Sequence, residues 1–137
     1  WSPGYVQQNA ARLGFVPGVI PGRMVIPAAT VGLPPILGLS FDSQAALAED
    51  PTLSAIRALT LTLDVPQVDR HQDPFPRMCQ VARELERAMD GAITDDDGRP
   101  LSDAALQAIA RDLQSLYDTL DSRDLSAGSP QARRLFS

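Results

Sequence analysis

Alternating apolar and polar residues predict two strands in the first half of the chain. In the segment ILGLSFD, Leu37, Leu39 and Phe41 alternate with small or polar residues. In ALTLTLDV, apolar residues occupy every second position from Leu59 to Val65, with threonine or aspartate between them. A period of two is typical of a strand with one apolar face and one polar face. We therefore expect these apolar residues to share one face of a sheet.

Apolar residues spaced three and four apart predict three helices. The first covers residues 3–13, because Ser2 can cap its start and Gly14 can end it in a left-handed conformation. The second covers residues 74–90 and the third begins at Ser102. The apolar stripes of these two longer helices comprise Phe75, Met78, Cys79, Ala82, Leu85 and Met89, and then Leu106, Ile109, Leu113, Leu116, Tyr117 and Leu120.

The segments between these elements are expected to be less regular. Proline and glycine recur through residues 15–35 and permit only short extended pieces such as Arg23–Ile26. Ala45–Ala48 predict a helical turn or two in the connection between the two strands. We expect one domain over residues 1–125, followed by a C-terminal tail at 126–137.

The stretch GAITDDDGRPLS has the appearance of a metal-binding loop. A calcium loop of the EF-hand kind needs glycine at its sixth position, but counting from the first of the consecutive residues Asp95–Asp97 places Pro100 there. Residues 92–94 and 99–101 are better explained as two short strands joined through Asp97 and Gly98, since Asp-Gly tolerates the positive φ of tight turns. A weak, incidental cation site is the alternative.

Composition and charge exclude several functions. The net charge is -5 and the 12 basic residues, all arginine, form no cluster, so nucleic acid is not an expected partner. His71 is the only histidine and lies in a polar connection, where a solvated side chain is expected. Cys79 is the only cysteine and is expected to be a small buried apolar residue rather than a nucleophile. An enzymatic or metal function would depend on Asp95–Asp97 and His71 alone, so we expect no catalysis, cofactor or metal.

Taken in order, several segments resemble one known family. They are VQQNAARLGFVPG, PPILGLSFD, LTLTLDVP and FPRMCQVARELERAMDGAITDDDGRPLS. Residues 4–120, which contain them, resemble the C-terminal FtsZ-binding domain of the bacterial cell-division protein ZipA. The resemblance implies an α+β fold, in which three helices pack on one face of a mostly antiparallel sheet and the opposite face is open.

The resemblance also implies a function. In this family the domain is a non-enzymatic adaptor that binds the C-terminal peptide of FtsZ on the open face during septation. A membrane helix tethers it to the cytoplasmic face of the inner membrane. If the leucines of both strands face the helices, the expected peptide-binding floor comprises Ile36, Gly38, Ser40, Thr60, Thr62 and Asp64. The family has a large aromatic residue where Thr62 stands.

Two expectations concern what lies outside this sequence, and the choice of partner stays open. The chain begins with its first helix and without Met, so we expect that the family's first strand is absent, the domain is N-terminally incomplete and the membrane segment lies upstream. The alternative function keeps the fold and changes the occupant of the face. The open face would then bind a second copy of the chain in a homodimer, another protein, or the chain's own tail through Leu135 and Phe136.

Overall fold

The chain folds as two compact units. A computed structural model describes residues 1–41, 56, 58–95 and 97–136. The contacts divide the chain into Trp1–Leu63 and Asp64–Ser137. The first unit contains an antiparallel sheet and the second is helical, which confirms the α+β class. The predicted helical turn at Ala45–Ala48 lies outside the described residues.

Helix α1, Pro3–Arg12, opens the first unit as its sequence predicts. The Ser2 hydroxyl accepts a backbone N–H of the first turn at 3.1 Å, which satisfies one of the unpaired donors of a helix start. Val6 and Ala10 are fully buried, one turn apart on the same side. Gly14 ends the helix with φ +100°, a conformation that residues with a Cβ rarely adopt.

Four antiparallel strands form the sheet in their sequence order. They are β1 (Val16–Pro17), β2 (Arg23–Ile26), β3 (Leu37–Ser40) and β4 (Thr60–Thr62). Strand β2 has the bounds expected between Gly22 and Pro27. Strand β4 is shorter than its alternating pattern predicts, because the chain turns into a 3₁₀ helix at Val65–Gln67, where Pro66 has no N–H to extend a ladder.

Three α-helices make up most of the second unit. They are α2 (Pro74–Met89), α3 (Asp103–Ser122) and α4 (Pro130–Leu135), preceded by 3₁₀ turns at Val65–Gln67 and Arg70–Gln72. The Ser102 hydroxyl caps α3 by accepting the Ala105 N–H at 3.1 Å. At the end of α2 the left-handed residue is Asp90, with φ 51°, and the glycine that follows it is not needed for that role.

A small apolar cluster and one arginine hold the second unit together. Tyr117, Leu120 and Ala127 are buried, and Val65, Leu113 and Leu125 pack against them. Arg70 donates to the carboxylates of Asp118 and Asp121 at 2.9 Å each, and its guanidinium lies 5.1 Å from the centre of the Tyr117 ring. Since both aspartates belong to α3, this contact joins the 3₁₀ turns to that helix.

The C-terminal segment packs against the start of its own unit. Gly128 donates its N–H to the Pro66 carbonyl at 2.8 Å, and the Gln67 side-chain amide donates to the Arg133 carbonyl at 3.3 Å. In α4, which the sequence analysis did not predict, Ala132 is fully buried. The boundary drawn between a domain at 1–125 and a tail at 126–137 remains a prediction.

Candidate functional site: the exposed face of the sheet

The strand register places seven residues on one face of the sheet. Directly paired residues of neighbouring strands lie on the same face, as do residues two apart along one strand. One row across the strands therefore contains Val16, Val25, Gly38 and Thr62, and the adjacent row contains Arg23, Ser40 and Thr60. Val16 is 44% exposed, and Arg23, Thr60 and Thr62 are also exposed. We refer to these seven residues as the exposed face.

The opposite face carries the apolar side chains that the alternation predicts. Met24, Ile26, Leu37 and Leu39 are each 6% exposed or less, and Leu61 is half-buried. Leu39 pairs directly with Leu61, so the leucines of β3 and β4 share a face of one sheet. The predicted alternation is confirmed.

Four of the six predicted site residues come together on the exposed face. Gly38 pairs with Thr62, and Ser40 pairs with Thr60. Ile36 lies two residues before Gly38, so alternation assigns it to this face. It is only 2% exposed, so its side chain offers little surface to a partner. Asp64 is exposed and lies after β4, at the start of the second unit.

Three residues of the exposed face were missed by the sequence analysis. Val16, Arg23 and Val25 belong to β1 and β2, where proline and glycine obscure the pattern. A signal was nevertheless present in RMVI, because Met24 and Ile26 alternate with Arg23 and Val25 as they would in a half-buried strand. Assigning β1 to the same face requires the register with β2, which local sequence does not supply.

The Thr62 side chain covers Gly38 on the exposed face. A Cβ atom placed on Gly38 would lie 2.5 Å from the Thr62 hydroxyl oxygen, so the threonine occupies the space that a side chain at position 38 would need. The valines on β1 and β2 flank this position on the other side. At position 38 a partner therefore meets the Thr62 hydroxyl, with Val25 on the neighbouring strand.

The chemistry of the exposed face suits binding rather than catalysis. Its seven residues include no acid, histidine or cysteine, so they hold no side-chain proton donor or acceptor that titrates near neutral pH. They offer two valines, three hydroxyls and one guanidinium. Four strands at their usual separation span about 14 Å, the length of about four extended residues or nine helical ones.

The residues considered for catalysis lie in the second unit and do not form a reactive group. The His71 side chain is 87% exposed, and its Nδ1 lies 2.9 Å from the Asp69 carboxylate. Cys79 is half-buried in α2, and burial raises the pKa of its thiol, which disfavours the nucleophilic thiolate.

The aspartate-rich stretch turns back on itself as predicted, but the two predicted strands at residues 92–94 and 99–101 reduce to a single isolated bridge. Thr94 pairs with Pro100, and the Asp95 carboxylate accepts the backbone N–H groups of Asp97 and Arg99 at 2.9 Å each. Gly98 has φ +80°. The Asp95 carboxylate therefore serves as a hydrogen-bond acceptor for backbone groups within the turn. Asp96 lies outside the described residues, and among those described no group of three or more His, Cys, Asp or Glu side chains could hold a metal ion.

The first unit therefore presents an antiparallel sheet with one apolar face and one exposed face. Residues 48–112, just under half of the chain, match the family model of the ZipA C-terminal FtsZ-binding domain. This confirms the resemblance seen in the sequence. The family is a protein-binding domain of bacterial cell division and is not a known enzyme family. The match includes β4, α2 and half of α3, while β1 to β3 precede it.

Comparisons with whole proteins give no relative. No curated protein and no solved structure matches the chain. None of the helices in the described residues is long and apolar enough to cross a membrane.

Proposed function

We propose that this chain is a non-enzymatic adaptor of bacterial cell division that binds the C-terminal peptide of FtsZ on the exposed face. The observation that carries the proposal is the pairing of β4 with β3. Thr60 and Thr62 lie within the matched family region, and their partners Ser40 and Gly38 extend the same face beyond it. The family's ligand and the exposed surface therefore point to one site.

The composition of the face predicts weak binding. Complete burial of a valine side chain contributes about 1.5–3 kcal/mol, and Val16 and Val25 are already partly covered. A dissociation constant of 1 μM requires about 8 kcal/mol after association costs. Without an aromatic residue at position 62, we expect a dissociation constant of tens to hundreds of micromolar.

Fluorescence anisotropy with a labelled FtsZ C-terminal peptide tests the proposal. We expect saturable binding that Thr62→Arg weakens by about tenfold or more, because the long charged side chain covers the centre of the exposed face. Thr30→Arg is the matched control, since it adds the same charge to an exposed threonine of the same unit away from the sheet. No saturation at hundreds of micromolar, or equal weakening by both substitutions, would reject this site for FtsZ.

The proposed location is the cytoplasmic face of the inner membrane, with the tether supplied by sequence outside this chain. Fluorescence microscopy of the protein expressed from its natural gene should show a band at the division site. A uniform distribution through dividing cells would contradict this part of the proposal.

A further inference from the structure

We infer that Arg23 selects a partner segment that carries a carboxylate beside an apolar side chain. The inference rests on the proposed use of the exposed face and specifies the chemistry of its ligand. Arg23 contributes the only charge among the seven residues of that face. Its position, its surroundings and the absence of a counter-ion among the described residues of its unit together define what it can bind.

The position of Arg23 places its charge beside an apolar strip. Arg23 pairs with Ser40, which pairs in turn with Thr60, so the guanidinium shares its row with two hydroxyl groups. Val25 is two residues further along β2 on the same face, about 7 Å away. Val16 pairs with Val25 and widens the apolar row.

No acidic residue in the described part of the first unit neutralises Arg23. The carboxylates of that unit are Asp42, Glu49 and Asp50, all outside the described residues. The ion pairs of Arg70, Arg83 and Arg87 all lie in the second unit. Arg12, the other described arginine of the first unit, donates to the Asn9 side chain.

The net charge of the first unit does not oppose such a ligand. The first unit has three arginines and three acidic residues, so the second carries the whole net charge of -5. Arginine presents two parallel N–H donors that match a carboxylate. The hydroxyls of Ser40 and Thr60 can donate to the remaining lone pairs of that carboxylate. The single arginine among the seven residues of the exposed face does not provide the repeated phosphate contacts of a nucleic-acid site.

Designed peptides of about ten residues, long enough to cross the sheet, test this inference without relying on FtsZ. Each carries one leucine and one glutamate, either two positions apart for an extended ligand or four apart for a helical one. The matched peptides replace glutamate with glutamine. Binding is measured by NMR titration, following the Arg23 Nε–H resonance, with wild-type protein, Arg23→Gln and the charge-matched control Arg12→Gln.

We expect one glutamate peptide to bind about tenfold more tightly than its glutamine match, and this preference to disappear in Arg23→Gln but persist in Arg12→Gln. Equal binding of the matched peptides, a preference that survives Arg23→Gln, or no binding of either peptide would overturn the inference. A wild-type dimer in sedimentation that Arg23→Gln dissociates would assign Arg23 to a second copy and also overturn it. The FtsZ peptide titration decides the proposed function separately, since designed peptides can bind when FtsZ does not.

Discussion

Replacing Gly128 with alanine measures how tightly the C-terminal segment packs against the start of its unit. Gly128 and Gly98 share a φ of +80°. A Cβ on Gly128 would lie 2.6 Å from the Asp69 backbone nitrogen and 3.1 Å from its Cα, and neither atom can rotate away. A Cβ on Gly98 would meet nothing within 4 Å in the described part of the chain. Comparing alanine variants at the two positions separates two losses in the free energy of unfolding, one from the backbone conformation and one from the close contact.

The left-handed conformation costs a residue with a Cβ about 1–2 kcal/mol, and this applies to both variants. Overpacking in a tight site typically adds about 1–3 kcal/mol, and this applies only to Gly128→Ala. We therefore expect the free energy of unfolding to fall by about 1–2 kcal/mol for Gly98→Ala and about 2–5 kcal/mol for Gly128→Ala.

Urea denaturation followed by far-ultraviolet circular dichroism measures both losses, because α2 and α3 dominate the helical signal. Equal losses in the two variants would show that Gly128 does not approach Asp69 in solution. The packing of α4 against the Val65–Gln67 turn would then be wrong, and with it the reason for a glycine at position 128.

Three further predictions concern the core, a helix cap and acid stability. Leu39→Ala should lower the free energy of unfolding by about 2–5 kcal/mol in urea denaturation, whereas Thr60→Ala should change it by less than about 0.5 kcal/mol; similar effects would contradict the assignment of the two faces. Ser102→Ala should cost about 1 kcal/mol through loss of the α3 cap, while Ser102→Asp should retain most of that stability. The backbone hydrogen bond from His71 lowers the pKa of Asp69, so this carboxylate stabilises the fold above its ordinary pKa of 3.8 and the contribution is lost as pH falls through the lower folded value. The stability of Asp69→Asn should therefore decline less than that of the wild type in acid unfolding, and parallel pH curves would argue against the contact.

Helix starts were predictable because their signals are local. The same combination of a serine cap and an early proline opens α1 at Ser2 and α4 at Ser129, and serine alone caps α3. Applying the Ser-Pro signal to the C-terminal segment would have identified α4 as well. The end of α2 was harder to place, because Asp90 adopts the left-handed conformation although glycine follows it.

The composition of the exposed face was only half predictable, because a face depends on pairing between distant residues. The alternation within β3 and β4 identified Gly38, Ser40, Thr60 and Thr62. The same alternation also assigned Ile36 to the exposed face, but Ile36 is buried through tertiary packing that alternation does not encode. Val16, Arg23 and Val25 entered through the register of β1 with β2 and of β2 with β3, which joins segments separated by turns. The buried leucines can be predicted from a period of two along each strand. The residues of the exposed face can be predicted only when the pairing of all four strands is known.

The close approach of Gly38 and Thr62 restricts the order in which this surface can evolve. A larger residue at position 38 meets the threonine hydroxyl at once, so that substitution is blocked while Thr62 remains. A large aromatic ring at position 62 could instead lie across the bare backbone of Gly38, since aromatic residues often cover a glycine on the neighbouring strand. One mutation at the threonine could thus convert a hydroxyl-lined surface into a hydrophobic one. The reverse history, with the glycine lost first, would close that route.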